Sequence, residues 1–197
     1  MSDERLRSKV EVDNGNSNTR CQLSTSTSTS NLNLTLKAWP VIAAATIGLC
    51  YLTQTVAGWF GIELPDQANI DLVKRYAGWN WAFAFLCLQV LVLMPAIEEL
   101  IFRKGIYSAL GRVVARSNDS TTNRRIVKAM AVLSAVLFSG AHYFFQPFPD
   151  SAFLALFLFG LAQCWLYRKT GHLWCAMLNH ALFNLTNLIL LFIIPNS

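Results

Sequence analysis

The segment MPAIEELIFRKG, Met94 to Gly105, sets two adjacent carboxylates, Glu98 and Glu99, and a guanidinium, Arg103, at the end of a nearly uncharged apolar run. Two further apolar runs carry reactive side chains: His142 in VLFSGAHYFF, and His180 with Asn184 in CAMLNHALFNL. A carboxylate beside an imidazole can take a proton from water and return it to a leaving group. A carboxamide can donate to an oxygen that gains negative charge. The same side chains also suit a metal, since Glu98, His142 and His180 make up a His₂Glu set of the kind that holds zinc with one position open. Ionisable groups in a bilayer cost ~2.5–3.5 kcal/mol each on insertion scales, so they are rare there and mark function.

Spacing says more. His180 and Asn184 are four apart, which puts both on one helical face, one turn apart. Asn179 and Asn187 add to that polar stripe. Glu99 and Arg103 are also four apart, with the acid first, the favourable order for an ion pair. A purely structural role fits any one of these groups: a single His or Asn can bond a neighbouring helix and join the bundle. Glu98, however, has no local partner once Glu99 is spent on Arg103.

These residues need elements to carry them. Of the 197 residues 54% are hydrophobic and 14% charged, against about 25% charged in a soluble domain. The deficit falls after position 37, because the first 37 residues are polar. Apolar segments recur at Ala38–Phe60, Gly78–Ile97, Ala129–Phe145, Ser151–Tyr167 and Leu173–Ile194. A spanning helix takes about 17–25 residues, so the chain reads as an all-α transmembrane bundle of about five spans over 38–197. Unbroken apolar runs separated by short polar loops favour helices over a barrel, whose strands would alternate. Residues 1–37, with STSTSTSNLNLT, are expected to be a disordered cytoplasmic tail, and they lack the apolar core of a secretory signal. Four of the five cysteines (Cys50, Cys87, Cys164, Cys175) lie in apolar runs and no CxxC occurs, so neither a disulfide framework nor a thiolate metal site is indicated. The net charge of +5 belongs to membrane topology rather than to a nucleic-acid partner.

Fourteen of the sixteen basic residues fall on one side of that topology: five in the tail, seven from Arg103 to Lys128, and Arg168 with Lys169. Lys74 and Arg75 stand alone on the other, in a loop with Glu63, Asp66 and Asp71. The N-terminus is therefore expected in the cytoplasm and the C-terminus outside. Depth adds a constraint. With the membrane boundary at Arg103, Glu98 lies only ~8 Å inside, whereas His142 lies ~21 Å in, and the two cannot meet. If the second helix continues through LIFRKGIYSALG to about Arg112, Glu98 reaches the depth of His142, and His180 at ~16 Å is close. That helix is long and expected to bend at Pro95, and it buries Arg103 with Glu99 as its neutralising partner.

The motifs now carry a resemblance. EELIFR fits EExxxR, FSGAH fits FxxxH through Phe138 and His142, and HALFN fits HxxxN through His180 and Asn184. Their order on three membrane helices resembles the CPBP family, which comprises the CAAX prenyl proteases and the bacteriocin-processing or Abi proteins. GHLWCAMLNHALFN is similar to that family's final motif, and the likeness covers Trp79 to Leu190. It implies an intramembrane endopeptidase acting on a peptide or protein from a cavity open to the cytoplasm. By the same resemblance Glu98 activates water, His142 is the second catalytic group, and His180 with Asn184 bind the oxyanion; the spacing and depth of Glu99 and Arg103 give those two a structural, orienting role. HExxH is absent and the family's glutamate serves as base, so a mechanism without a cofactor is favoured, with zinc on Glu98, His142 and His180 as the alternative. Nothing in the motifs tests for a prenylated substrate. The short five-span chain is similar to many bacterial members, which points to a prokaryotic plasma membrane. Two other classes stay open: a non-catalytic immunity-type protein of the same fold, and a proton-coupled transporter, for which the chain lacks inverted halves.

The charge distribution is checked by cysteine labelling in a background without native cysteines. In intact cells an outside reagent should fail to label a cysteine at Ser117 and should label one at Ser197. The reverse pattern inverts the topology.

Overall fold

The computed structural model describes the backbone of residues 16–62, 73, 75–78, 80–114, 120–145 and 150–193. Side chains are described for 28–62, 73, 75–78, 80–112, 121–143 and 152–193. Residues 1–15 of the expected tail, and Glu63, Asp66 and Asp71, lie outside these ranges. The chain separates into two units, Met1–Leu34 and Thr35–Ser197. Glu98, Glu99, Arg103, His142, His180 and Asn184 all belong to the second.

The described residues form an all-α, multi-pass bundle. The long helices are α1 (Asn16–Trp59), α2 (Trp81–Leu110, continued by Gly111–Val114), α3 (Ser120–Phe145), α4 (Asp150–Thr170) and α5 (Leu173–Ile193). In α1, α2, α3 and α5 the helix is long and apolar enough to cross a membrane, and α4 is a helix of 21 residues. Helix α1 starts within the polar segment, at Asn16, directly after Gly15. From Asn16 to Lys37 the sequence holds no Gly or Pro, and Ser, Thr and Asn cost only up to ~0.7 kcal/mol each relative to Ala in a helix, so an apolar span can extend through them.

Beside a buried apolar set that includes Phe138, Phe159 and Leu166, several polar groups are fully enclosed. Glu99, Arg103, Ser134, Gln163 and Asn179 are wholly buried and His180 nearly so. Large apolar side chains such as Val92, Ile97, Leu100, Ile101, Val136 and Leu154 face outward. Trp59 and Trp81, at helix ends, are 78% and 92% exposed, the placement of aromatic residues at a membrane interface. With no water in the hydrocarbon, polar groups must find partners on other helices. Trp39 Nε1 donates to Thr186 Oγ1 (3.1 Å), joining α1 to α5. Ser134 Oγ donates to the Phe102 carbonyl (2.8 Å), joining α3 to α2, and Ser139 Oγ donates to the Phe153 carbonyl (2.7 Å), joining α3 to α4. Gln163 Nε2 donates to the Ala176 carbonyl (3.3 Å), joining α4 to α5.

Helix α2 carries the carboxylates and has a composite winding. Asn80 caps it by accepting from the Phe83 N–H (2.8 Å). Two π-helical stretches, Gln89–Leu93 and Leu100–Leu110, flank an ordinary α-helical segment, Met94–Glu99. Such wide turns occur frequently at functional sites. The helix runs on past Arg103 to Leu110, as the depth argument requires. Arg103, grouped with the linker when basic residues are counted, is thus an interior residue of the span. Helix α4 ends at Thr170, and Gly171, with φ of +70° and its N–H to the Tyr167 carbonyl (2.8 Å), forms the left-handed cap that turns the chain tightly into α5.

Helices α3 and α4 meet where Gly160 faces Ala135. A Cβ on Gly160 would stand 3.0 Å from both Cα and Cβ of Ala135. Gly160→Ala should therefore force the helices apart and lower stability by about 1–3 kcal/mol in thermal unfolding in detergent. Gly140→Ala, where a new Cβ meets nothing within 4 Å, should be neutral or gain about 0.5–1 kcal/mol from helix propensity. Equal behaviour of the two variants would overturn the close-packing account.

Candidate active site

Glu98 and Glu99 are consecutive on α2, so their side chains point about 100° apart and meet different neighbours. Glu99 is wholly buried and joins two groups. Its Oε2 lies 3.1 Å from Arg103 Nε, one turn on, and its Oε1 accepts from His180 Nδ1 at 2.9 Å. Arg103 has no exposed surface either, and its guanidinium carbon rests 4.4 Å above the Phe138 ring. Cation–π contact of a desolvated guanidinium adds to the ion pair, and the ring covers one face of the charge.

Glu98 keeps a small opening, its side chain being 15% exposed. Oε1 lies 3.8 Å from His142 Nε2 on α3, and Oε2 lies 3.5 Å from His180 Nε2 on α5. Both separations exceed a direct hydrogen bond and are short enough for one water to reach both atoms. The remaining ring nitrogens fix the tautomers. His142 Nδ1 lies 2.8 Å from the Phe138 carbonyl, which can only accept, so Nδ1 carries the proton. His180 Nδ1 likewise donates to the Glu99 carboxylate. In the neutral rings both Nε2 lone pairs are therefore directed at Glu98.

Aromatic rings hold the imidazoles in place. The Phe138 centroid is 4.6 Å from that of His142 and 5.9 Å from that of His180. Phe159, on α4, meets His180 edge-on at 5.0 Å and Phe183 at 4.4 Å. Phe138 thus touches Arg103 and both histidines, which gives the first residue of FxxxH a physical task.

Of the residues singled out by the sequence, Glu98, His142 and His180 come together at one locus, with Glu99 and Arg103 directly behind His180. Asn184 shares the face of α5 with His180, and its Nδ2 donates to the Val90 carbonyl of α2 at 2.8 Å. Asn187 turns back on its own helix, donating to the Phe183 carbonyl at 3.1 Å. The contact of Glu99 with His180 and the involvement of Val90 and Phe159 are not legible from the sequence. The divergence of adjacent helical side chains was the available signal for the first. Among the described residues no group of three or more His, Cys, Asp and Glu side chains is arranged to hold a metal ion.

The buried pair makes a direct prediction. Removing one partner of a buried pair leaves the other charge uncompensated, typically at ~3–5 kcal/mol. Arg103→Ala and Glu99→Gln should each destabilise the fold by about that much, seen as lower membrane yield and a lower melting temperature. Wild-type yield and melting in both variants would show that the pair does not carry the fold.

A family model for type II CAAX prenyl endopeptidase Rce1-like proteins matches residues 79–186, from α2 to α5. No curated protein and no solved structure matches the chain. The match takes in more than half of the chain and every side chain of the Glu98 locus. With the motif order and the convergence of a carboxylate and two tautomer-fixed histidines between membrane helices, it establishes that the chain belongs to the type II CAAX prenyl endopeptidase Rce1-like family.

Proposed function

We propose that the chain is an intramembrane endopeptidase that hydrolyses a peptide bond with water activated by Glu98. One observation carries the reading: each oxygen of the Glu98 carboxylate faces the Nε2 of a histidine on a different helix, at 3.8 and 3.5 Å. A carboxylate bracketed in this way is suited to hold a water and take its proton.

The reaction follows from those atoms. A water between Glu98 and His142 gives a proton to the carboxylate, while His142 Nε2 accepts its other hydrogen and fixes its position. The water oxygen bonds to the scissile carbonyl carbon, whose oxygen becomes an oxyanion. The proton taken from water is shared between Glu98 and His180. Once His180 Nε2 carries it, that N–H donates to the oxyanion together with Asn184. Collapse of the intermediate breaks the C–N bond, and the same proton passes to the departing amine. Glu99, held by Arg103, keeps His180 in the Nδ1–H tautomer, as an orienting carboxylate does for a catalytic imidazole. The substrate is a peptide or protein, and the family match makes a prenylated C-terminal CAAX peptide the first probe. The basic side of the chain is proposed to be cytoplasmic, with the C-terminus outside.

The test is cleavage of a farnesylated CAAX-type peptide, and of its unprenylated counterpart, by protein in detergent. Glu98→Gln keeps the shape and loses the base, for an expected loss of ~10²–10⁴-fold. Asn184→Ala should lose ~10²–10³-fold. The double variant should be little worse than the slower single one, because the groups act as a unit. EDTA should leave the rate unchanged. A folded Glu98→Gln protein that cleaves at the wild-type rate overturns the assignment.

A further inference from the structure

The Val90 carbonyl is left over by the winding of α2. In an α-helix a carbonyl accepts from the fourth residue on, and in a π-helix from the fifth. Through Gln89–Leu93 the helix follows the second pattern, and the Met94 N–H accordingly goes to the Gln89 carbonyl. The next carbonyl in that register, Val90, would take the N–H of residue 95, which is proline and has none. An unpaired carbonyl inside a membrane helix is costly, and a proline in such a helix is tolerated when a neighbouring helix supplies the donor. That donor is Asn184 Nδ2, 2.8 Å away on α5.

Other polar residues of the same helix behave differently. Thr186 Oγ1 donates to Leu182 and Asn187 Nδ2 to Phe183, both carbonyls of α5 itself. Asn184 alone among these three donates to another helix, and it lies one turn beyond His180. A carbonyl can only accept, so the contact also decides which end of the carboxamide is the NH₂, and it uses one of the two N–H bonds there. With the His180–Glu99 hydrogen bond of 2.9 Å, it makes a second point at which α5 is pinned to α2.

We propose that Pro95 is a positioning residue of this site: by withholding a backbone N–H it leaves the Val90 carbonyl to Asn184 and so sets how α5 presents Asn184 and His180 to Glu98. The proposal deepens the peptidase reading and rests on it for the effect on turnover, whereas the hydrogen-bond exchange stands without it. An N–H restored at position 95 competes for Val90 and releases the carboxamide.

Two measurements on the full chain in detergent test this. The first is a thermal-unfolding cycle of Pro95→Ala and Asn184→Leu. Asn184→Leu should lower the melting temperature in the Pro95 background and lower it much less in the Pro95→Ala background, where backbone satisfies Val90. Additive shifts overturn the proposal, whatever the enzyme does. The second is cleavage of the farnesylated CAAX-type peptide by Pro95→Ala. This variant should melt at or above the wild-type temperature, keep its KM, and lose kcat by about 10–10²-fold through a misplaced carboxamide. A folded Pro95→Ala protein with wild-type kcat overturns the positioning role, because a proline that only shapes the helix would leave kcat alone. If the wild-type protein cleaves neither peptide, the peptidase reading fails, and the unfolding cycle alone decides the Val90–Asn184 exchange: coupling supports it and additivity overturns it.

Discussion

A guanidinium without exposed surface, two-thirds of the way along a membrane helix, has to be neutralised where it stands. Arg103 meets that condition through Glu99 at 3.1 Å and the face of Phe138 at 4.4 Å. The rest of the locus depends on this arrangement. Glu99 is held on one side by Arg103 and is therefore fixed when it accepts from His180 on the other. Phe138 lies under the arginine and against both imidazoles, so a single ring ties the charge pair to the residues of the proposed reaction. Attraction in low dielectric is strong, but so is the cost of removing each charge from water, and an ion pair placed there is better explained by what it positions than by net stability.

Two adjacent glutamates divide the labour because a helix turns about 100° per residue. Glu99 points into the packed interior, where it has an arginine and an imidazole. Glu98 points to the edge of that interior, between α3 and α5, with a small opening and no direct hydrogen bond to either histidine. The division suits a hydrolytic site, in which one carboxylate must be immobile and the other must exchange protons with a bound water. The π-helical stretches on either side of Met94–Glu99 change the azimuth at which these side chains emerge and release carbonyls for use by other helices, as Phe102 and Val90 illustrate.

The bundle is joined by polar contacts between helices as well as by buried apolar side chains such as Phe138, Phe159 and Leu166. Lipid is as apolar as leucine, so burying leucine gains little, and close backbone approach with interhelical hydrogen bonds takes over. Gly160 against Ala135 supplies the first, and Ser134, Ser139, Gln163 and Trp39 supply the second. These joints surround the Glu98 locus on α2, α3, α4 and α5, which holds the reactive groups on rigid helices instead of on loops.

The sequence by itself determined the class of fold, the helices, and the residues that converge. Apolar run length is set by bilayer thickness and is therefore readable along one dimension, and EExxxR, FxxxH and HxxxN each lie within a single helix, where spacing translates into a face. It also determined that α2 must outrun its apolar segment, since otherwise Glu98 and His142 lie at different depths. Only the tertiary structure decided which nitrogen of each histidine bears the proton, because that depends on the acceptor behind it: the Phe138 carbonyl for His142 and Glu99 for His180. It alone gave Glu99 its second partner and Asn184 its contact with Val90, residues 81 and 94 positions apart in the chain. Those pairings follow from the rotation of α5 about its own axis and from the π winding of α2, and interhelical packing sets both.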